Sequence, residues 1–246
     1  MSETKTIFAV SDIHGHYTLL KKALDEAGFD AKNPEHLLIC CGDYFDRGPE
    51  NGQVLKYLDR LEHKILLRGN HEDMLLEILD TGRLKPHNYL NGTVETVTEF
   101  FGKYALDEMG NIDFSGKSRT VDRLFEFMSA TRDYFETEHF VFVHGWLPTV
   151  AVQDGVRIPE NWRAASEDAW KKARWTKWTE VYDTCDRPAD KTIICGHMPS
   201  VFAFRFDQTR TAGTSDIFFG DGVTVLDAGT YTTGKINVLV LQDERI

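Results

Sequence analysis

Along the front of the chain, short apolar runs alternate with segments of helical spacing. Thr6–Val10 has the run expected of a buried strand, and His16–Ala27 places Leu19, Leu20, Ala23, Leu24 and Ala27 on one helical face. Gly28 is a natural stop for that helix. The pattern repeats with a strand over His36–Cys41 and a helix over Pro49–Leu61, and again with a strand over Lys64–Leu67 and a helix over His71–Leu79. Such β-α-β-α-β-α order predicts an α/β fold with parallel pairing. Residues 83–138 read as mostly helical, with Thr93–Tyr104 and Val121–Ala130 the clearest segments. His139–Val143 reads as a strand, and 149–190 holds no clear strand. The last third reads as β, over Thr192–Cys195, Val201–Phe206, Ile217–Phe219, Val223–Leu226 and Ile236–Leu241, with a hairpin turn at Gly220-Asp221-Gly222. No repeat, low-complexity stretch or linker interrupts the pattern, so residues 1–246 are read as one domain.

Polar strings sit where the strands should end. They are Ser-Asp-Ile-His-Gly at 11–15, Gly-Asp-Tyr-Phe-Asp-Arg-Gly at 42–48, Arg-Gly-Asn-His-Glu at 68–72, His144-Gly145 and Gly196-His197. The first three are about 30 residues apart, one βαβ step. Ligands in open α/β folds gather at the carboxyl ends of strands, so these strings should meet. Asp12, His14, Asp43, Asn70, His144 and His197 offer six oxygen and imidazole donors, and a carboxylate at Asp43 can bridge two ions. That mixture suits Mn, Fe or Zn and disfavours calcium or a thiolate site.

Composition narrows the setting. The 246 residues are 41% hydrophobic and 27% charged, with a net charge of −11. Strong negative charge argues against broad nucleic-acid or membrane binding. The polar start Met1–Thr6 resembles no signal peptide, and no apolar run reaches membrane length. Cys40, Cys41, Cys185 and Cys195 form no Cys-x-x-Cys pair and read as reduced core thiols. Cytoplasmic residence is expected.

Asp12-x-His14-Gly15, Gly42-Asp43-x-x-Asp46-Arg47-Gly48 and Gly69-Asn70-His71-Glu72 together resemble the signature of the phosphoprotein phosphatases of the calcineurin-like metallophosphoesterase superfamily, nearest to the small bacterial and phage type. The resemblance continues through His144-Gly145, Gly196-His197 and Leu226-Asp227-Ala228-Gly229. It implies a four-layer sandwich of two mixed β-sheets flanked by helices. It also implies two divalent ions, most simply manganese, one on Asp12, His14 and Asp43 and the other on Asp43, Asn70, His144 and His197. The ions would activate a water for in-line attack on phosphorus. Arg47 would grip the phosphate, and His71, supported by Asp46, would protonate the leaving group. A second phosphate-binding arginine is expected at Arg174, which lies 23 residues before His197, with Arg163 the competitor. Ser11, Trp146 and Met198 depart from the usual pattern, which bears on substrate shape near the ions.

The implied activity is hydrolysis of phosphoserine, phosphothreonine or phosphotyrosine in proteins. A dinucleoside polyphosphate hydrolase is the rival, but that type usually lacks the Asp of Asp-Arg-Gly and has Asp after Asn-His, unlike Asp46 and Glu72 here. An inactive binding module would have lost ligands, and a two-metal nuclease has no particular need of Asp46 and Arg47. The 83–138 insert and a lid over 149–190 are expected to set specificity. Within 157–178, Trp162, Trp170, Trp175 and Trp178 stand among six basic and three acidic residues, the pattern either of a lid or of a helix packed on the core. Tyr44 and Phe45 read as core, and Asp227 as a supporting residue rather than a ligand.

Overall fold

The computed structural model describes residues 4–153, 155–186 and 190–246. Residues 1–3 of the amino-terminal stretch, and residues 154 and 187–189 of the expected lid, lie outside the described residues. In chain order the elements begin β1 (Thr4–Val10), α1 (Tyr17–Glu26), β2 (His36–Cys40), α2 (Asn51–Arg60), β3 (Lys64–Leu66) and α3 (Asn70–Thr81). The insert follows as α4 (Pro86–Leu90), α5 (Thr93–Phe101) and α6 (Ser118–Ser129), then β4 (Tyr134–Glu136) and β5 (Phe140–Val143). Next come β6 (Val150–Val152), β7 (Gly155–Arg157), α7 (Glu167–Trp175), α8 (Trp178–Val181) and β8 (Cys185–Asp186). The chain closes with β9 (Thr192–Cys195), β10 (Phe218–Gly220), β11 (Val223–Val225), α9 (Thr230–Thr233) and β12 (Leu239–Arg245).

Two mixed sheets form, ordered β12-β1-β2-β3 and β10-β11-β9-β5-β4. The parallel pairs are β1 with β2, β2 with β3, β9 with β11 and β5 with β9. Alternation along each strand builds the layers. Ile7 and Ala9 of β1, with Leu37 and Ile39 of β2, join Phe142 of β5 and Ile194 of β9 in one buried cluster between the sheets. Phe8, Val10, Leu38 and Cys40 point the other way, into a cluster with apolar residues of α1, α2, α3, α5 and α6. Val141, Val143, Ile193 and Cys195 point outward from the second sheet onto Trp162, Trp170 and Trp178. The result is the expected α/β/β/α sandwich. All four cysteines are buried as thiols, outside any disulfide. Among the described residues, no helix is long and apolar enough to cross a membrane.

Three readings are corrected. Ser200–Arg205 is a 3-10 helix where Val201–Phe206 was expected as a strand. Both hydrogen-bonding sides of β9 are already taken by β11 and β5, which leaves that alternating run no place beside it. The 149–190 region does hold strands, because β6, β7 and β8 make a small three-stranded sheet. Its members are too short to leave a hydrophobic pattern, and those of β6 are exposed. The final strand starts at Leu239 rather than Ile236. The hairpin at residues 220–222 forms as expected, joining β10 to β11.

Candidate metal centre

The polar strings follow the carboxyl ends of β1, β2, β3, β5 and β9, so residues from both sheets meet across one end of the sandwich. Backbone bonds tie the loops together, from Asp12 N–H to Gly42 O at 3.2 Å, from His14 N–H to Asp43 O at 2.9 Å and from Gly196 N–H to His144 O at 2.8 Å. Gly42 allows one close approach. It has φ +85°, and a Cβ there would lie 2.7 Å from the Gly69 backbone and 2.8 Å from His144 Nδ1. Among the described residues, the non-glycine positions with positive φ are Asp12, His14, Asp43, Asp46, Arg47 and His197. Each belongs to this cluster, where unfavourable backbone geometry is held by its surroundings.

Asp43 is central. Its Oδ1 lies 3.3 Å from His144 Nε2, and its Oδ2 lies 3.7 Å from His14 Nε2 and 3.8 Å from His71 Nε2. One set of mutually close donor atoms comes from Asp43, His144 and His197, and another from His14, Asp43 and His71. Asn70 Oδ1 sits 2.8 Å from His144 Nε2, and Asp12 Oδ1 lies 3.9 Å from His14 Nε2. The histidines are oriented from behind. His14 Nδ1 donates to Phe45 O at 3.0 Å, and His144 Nδ1 donates to Cys41 O at 2.7 Å. Such anchoring fixes the tautomer and leaves Nε2 of His14 and His144 facing the cluster.

The electrostatics suit cations. Burial, and next the buried Asp12 carboxylate, pushes the Asp43 and Asp227 carboxyls well above the usual range. Burial likewise lowers His14, His144 and His197, leaving neutral imidazoles able to bind metal. Crowded buried carboxylates beside neutral imidazoles form a donor set that divalent ions would compensate. Asp12 is braced by Ser11, whose hydroxyl donates to its Oδ2, and that same oxygen accepts from His197 N–H at 3.0 Å. Asp227 supports a turn by accepting from Gly229 N–H at 2.7 Å. Glu72 accepts from three backbone N–H groups, those of Asp43 (2.8 Å), Tyr44 (3.0 Å) and Gly69 (2.7 Å).

Beside the ligands stand groups of a different kind. Arg47 turns its fork onto the cluster, with NH1 2.9 Å from His14 Nε2 and NH2 3.2 Å from His71 Nε2. His71 Nδ1 donates to Asp46 Oδ2 at 2.7 Å, which leaves its Nε2 facing inward. Burial, then the charges of Arg47 and His144, holds His71 well below its usual pKa.

Two expectations do not hold in the geometry. Arg174 is 1% exposed, with Nε on Asp73 (2.7 Å), NH1 on Asp133 (2.5 Å) and NH2 on Glu167 (2.7 Å). A guanidinium whose three nitrogens all meet carboxylates has no fork left for phosphate. Arg163 is half exposed, paired through Nε and NH2 with Glu136, and stacked on Trp162. Lys177, which the sequence did not single out, lies close enough to His197 to help lower its pKa, after burial and the neighbouring histidines. The expected lid packs three of its four tryptophans inward, since Trp162, Trp170 and Trp178 are buried, while Trp175 is 41% exposed, its ring centroid 6.1 Å from that of His197. Tyr44 and Phe45 are core as expected, and Trp146 is buried on the other sheet, in the cluster with Trp162, Trp170 and Trp178.

A two-sheet sandwich carrying an Asp, Asn and His cluster at its strand ends defines a metallophosphoesterase-type site. Residues 5–227 match the family described as calcineurin-like phosphoesterase, and the chain belongs to that family. It is similar to serine/threonine-protein phosphatase 2 of Escherichia coli, at 45% identity over 76 residues covering 31% of this chain and 34% of that one. It is also similar to an asymmetrical bis(5'-nucleosyl)-tetraphosphatase of Bacillus velezensis, at 29% identity over 126 residues covering 48% of this chain and 47% of that one. The matches therefore span a third to a half of these relatives. Among solved structures, the cold-active protein-tyrosine phosphatase of a psychrophilic Shewanella shares the fold, with TM-score 0.57, 16% identity, and coverage of 98% of this chain and 76% of that one.

Proposed function

We propose that this chain is a metal-dependent phosphomonoesterase acting on phosphorylated serine, threonine or tyrosine side chains in proteins. The observation that carries the reading is the Arg47 fork and the His71–Asp46 pair facing the same space as the two donor sets on Asp43. In this reading Asp12, His14 and Asp43 hold one ion, and Asp43, Asn70, His144 and His197 hold the other, most simply manganese. Bound there, the ions supply Lewis-acid activation of water and of the phosphoryl oxygens. Arg47 grips two phosphate oxygens with NH1 and NH2. The phosphate dianion neutralises that guanidinium and favours protonated His71, which offsets the lowering seen in the free site. His71 Nε2 then gives its proton to the leaving oxygen while Asp46 holds Nδ1. Lys177 is a further cation within electrostatic reach of the cluster, acting on His197.

Hydrolysis of dinucleoside polyphosphates is the second reading, favoured by the partial match to the tetraphosphatase of Bacillus velezensis. Asp46 and Glu72 favour the first. Purified protein with added manganese is to be offered p-nitrophenyl phosphate, a phosphopeptide and diadenosine tetraphosphate. Hydrolysis of the first two supports the proposal, and preference for the third replaces it with the second reading. His71→Asn should keep bound metal while turnover of the phosphopeptide drops about 10²–10⁴-fold. Loss of metal in that variant would mean that His71 is a ligand instead.

A further inference from the structure

We propose that Thr93 and Thr96, on the insert helix α5, are positioning residues that aim the Asp46 carboxylate at His71. The inference rests on the phosphomonoesterase reading above. Asp46 is 1% exposed, and both of its oxygens are held from α5. Oδ2 accepts from Thr93 Oγ1 at 2.9 Å as well as from His71 Nδ1 at 2.7 Å. Oδ1 accepts from Thr96 Oγ1 at 2.6 Å, and the same hydroxyl lies 2.9 Å from the Asp46 N–H, closing a small ring on one residue. Thr93 and Thr96 are three positions apart and both fully buried, so one turn of helix presents both hydroxyls to one carboxylate.

The helix is fixed in the place this requires. Gly92, just before α5, has φ +75°, and a Cβ there would lie 2.8 Å from Arg47 N and 2.9 Å from Arg47 Cα. Its carbonyl accepts from the Arg47 N–H at 3.2 Å. At the other end of α5, Glu99 accepts from Asn51 N–H and Nδ2 (2.8 Å each) and from Gly52 N–H (2.7 Å). Asn51 Oδ1 is in turn 3.1 Å from the Asp46 N–H. A carboxylate held at one oxygen can swing about its terminal torsion, whereas one held at both cannot. An acid whose partner swings loses the direction of its proton, which matters only when the leaving group needs that proton. The insert thus serves the chemical step as well as the surface.

The test compares leaving groups. Nitrophenolate departs without a proton, whereas the serine alkoxide of a phosphopeptide requires one. Thr96→Val keeps the shape and removes the hydroxyl. Its kcat on a phosphoserine peptide should fall roughly tenfold or more, against less than about threefold on p-nitrophenyl phosphate, with KM and manganese content unchanged. Thr96→Ser should restore the peptide rate. Thr93→Val makes the same test through the other oxygen should Thr96→Val fail to fold. An equal fall on both substrates, no fall on either, or failure of serine to rescue overturns the inference. If the unmutated protein hydrolyses neither substrate, the phosphomonoesterase reading fails and takes this inference with it. An active parent with unselective variants sinks this inference alone.

Discussion

Arg174→Met separates anchoring from phosphate binding. The guanidinium meets Asp73, Asp133 and Glu167, whose side chains are 8%, 29% and 64% exposed. Their contributions follow that order. Losing the partner of a buried carboxylate costs about 3–5 kcal/mol, which applies to Asp73 at the low end. Asp133 is worth about 1 kcal/mol, and Glu167, as a solvated partner, close to zero. Methionine keeps much of the buried volume, so the total is about 3–4 kcal/mol. For a chain of this size that lowers the melting temperature by about 6–16 °C. Thermal unfolding followed by circular dichroism measures it. Asp73→Asn should cost somewhat less, and the double variant much less than the sum, because the two residues share one interaction. Melting within 2 °C of the parent, with KM for p-nitrophenyl phosphate raised tenfold, would refute the anchoring argument and return Arg174 to the phosphate.

Glu72→Gln tests the brace behind Asp43. The amide oxygen can keep the Asp43 and Gly69 donors, but its NH₂ then faces the Tyr44 N–H, leaving a buried donor unpaired at a cost of about 1–3 kcal/mol. Lower melting temperature and weaker metal retention are expected, and unchanged values in both would contradict the role. Burial pushes Asp46 up to about 6 from 3.8, so between these values the folded chain binds the extra proton. The stability from this group is therefore full below about 4 and is lost as pH rises through about 6, while the phosphopeptide rate rises over the same interval because His71 needs the carboxylate form. A pH–rate profile without an acid limb near 6, or one retained in Asp46→Asn, would exclude Asp46 as its source. Asp43→Asn should deplete both ions, read by elemental analysis, and retention of both would undo the bridging assignment.

The sequence made the sandwich legible wherever strands were apolar on both faces. Ile7 and Ala9 look one way and Phe8 and Val10 the other, giving an uninterrupted run that reads as a buried strand. Strands β6, β7 and β8 offer only two or three residues each, below what periodicity resolves. The motif residues were legible because their chemistry is local to a strand end. The distance of Arg174 from His197 points toward the phosphate only while its helical phase is left aside. Arg174 follows Trp170 by four positions and so shares that residue's buried face, which was the available signal. Thr93 and Thr96 carry no motif, and their role exists only because Gly92 lets α5 lie against Arg47.

The left-handed residues of the metal cluster have a consequence for how such a chain would age. An L-residue in that conformation costs roughly 1 kcal/mol relative to glycine, so six of them hold several kcal/mol against folding. In a lineage that no longer needed the reaction, glycine would relieve that strain wherever the side-chain bonds lost are worth less than the strain itself. The first marks of disuse would then be glycines at such positions, whereas Asp46, which accepts from His71, Thr93 and Thr96, would hold its place longer.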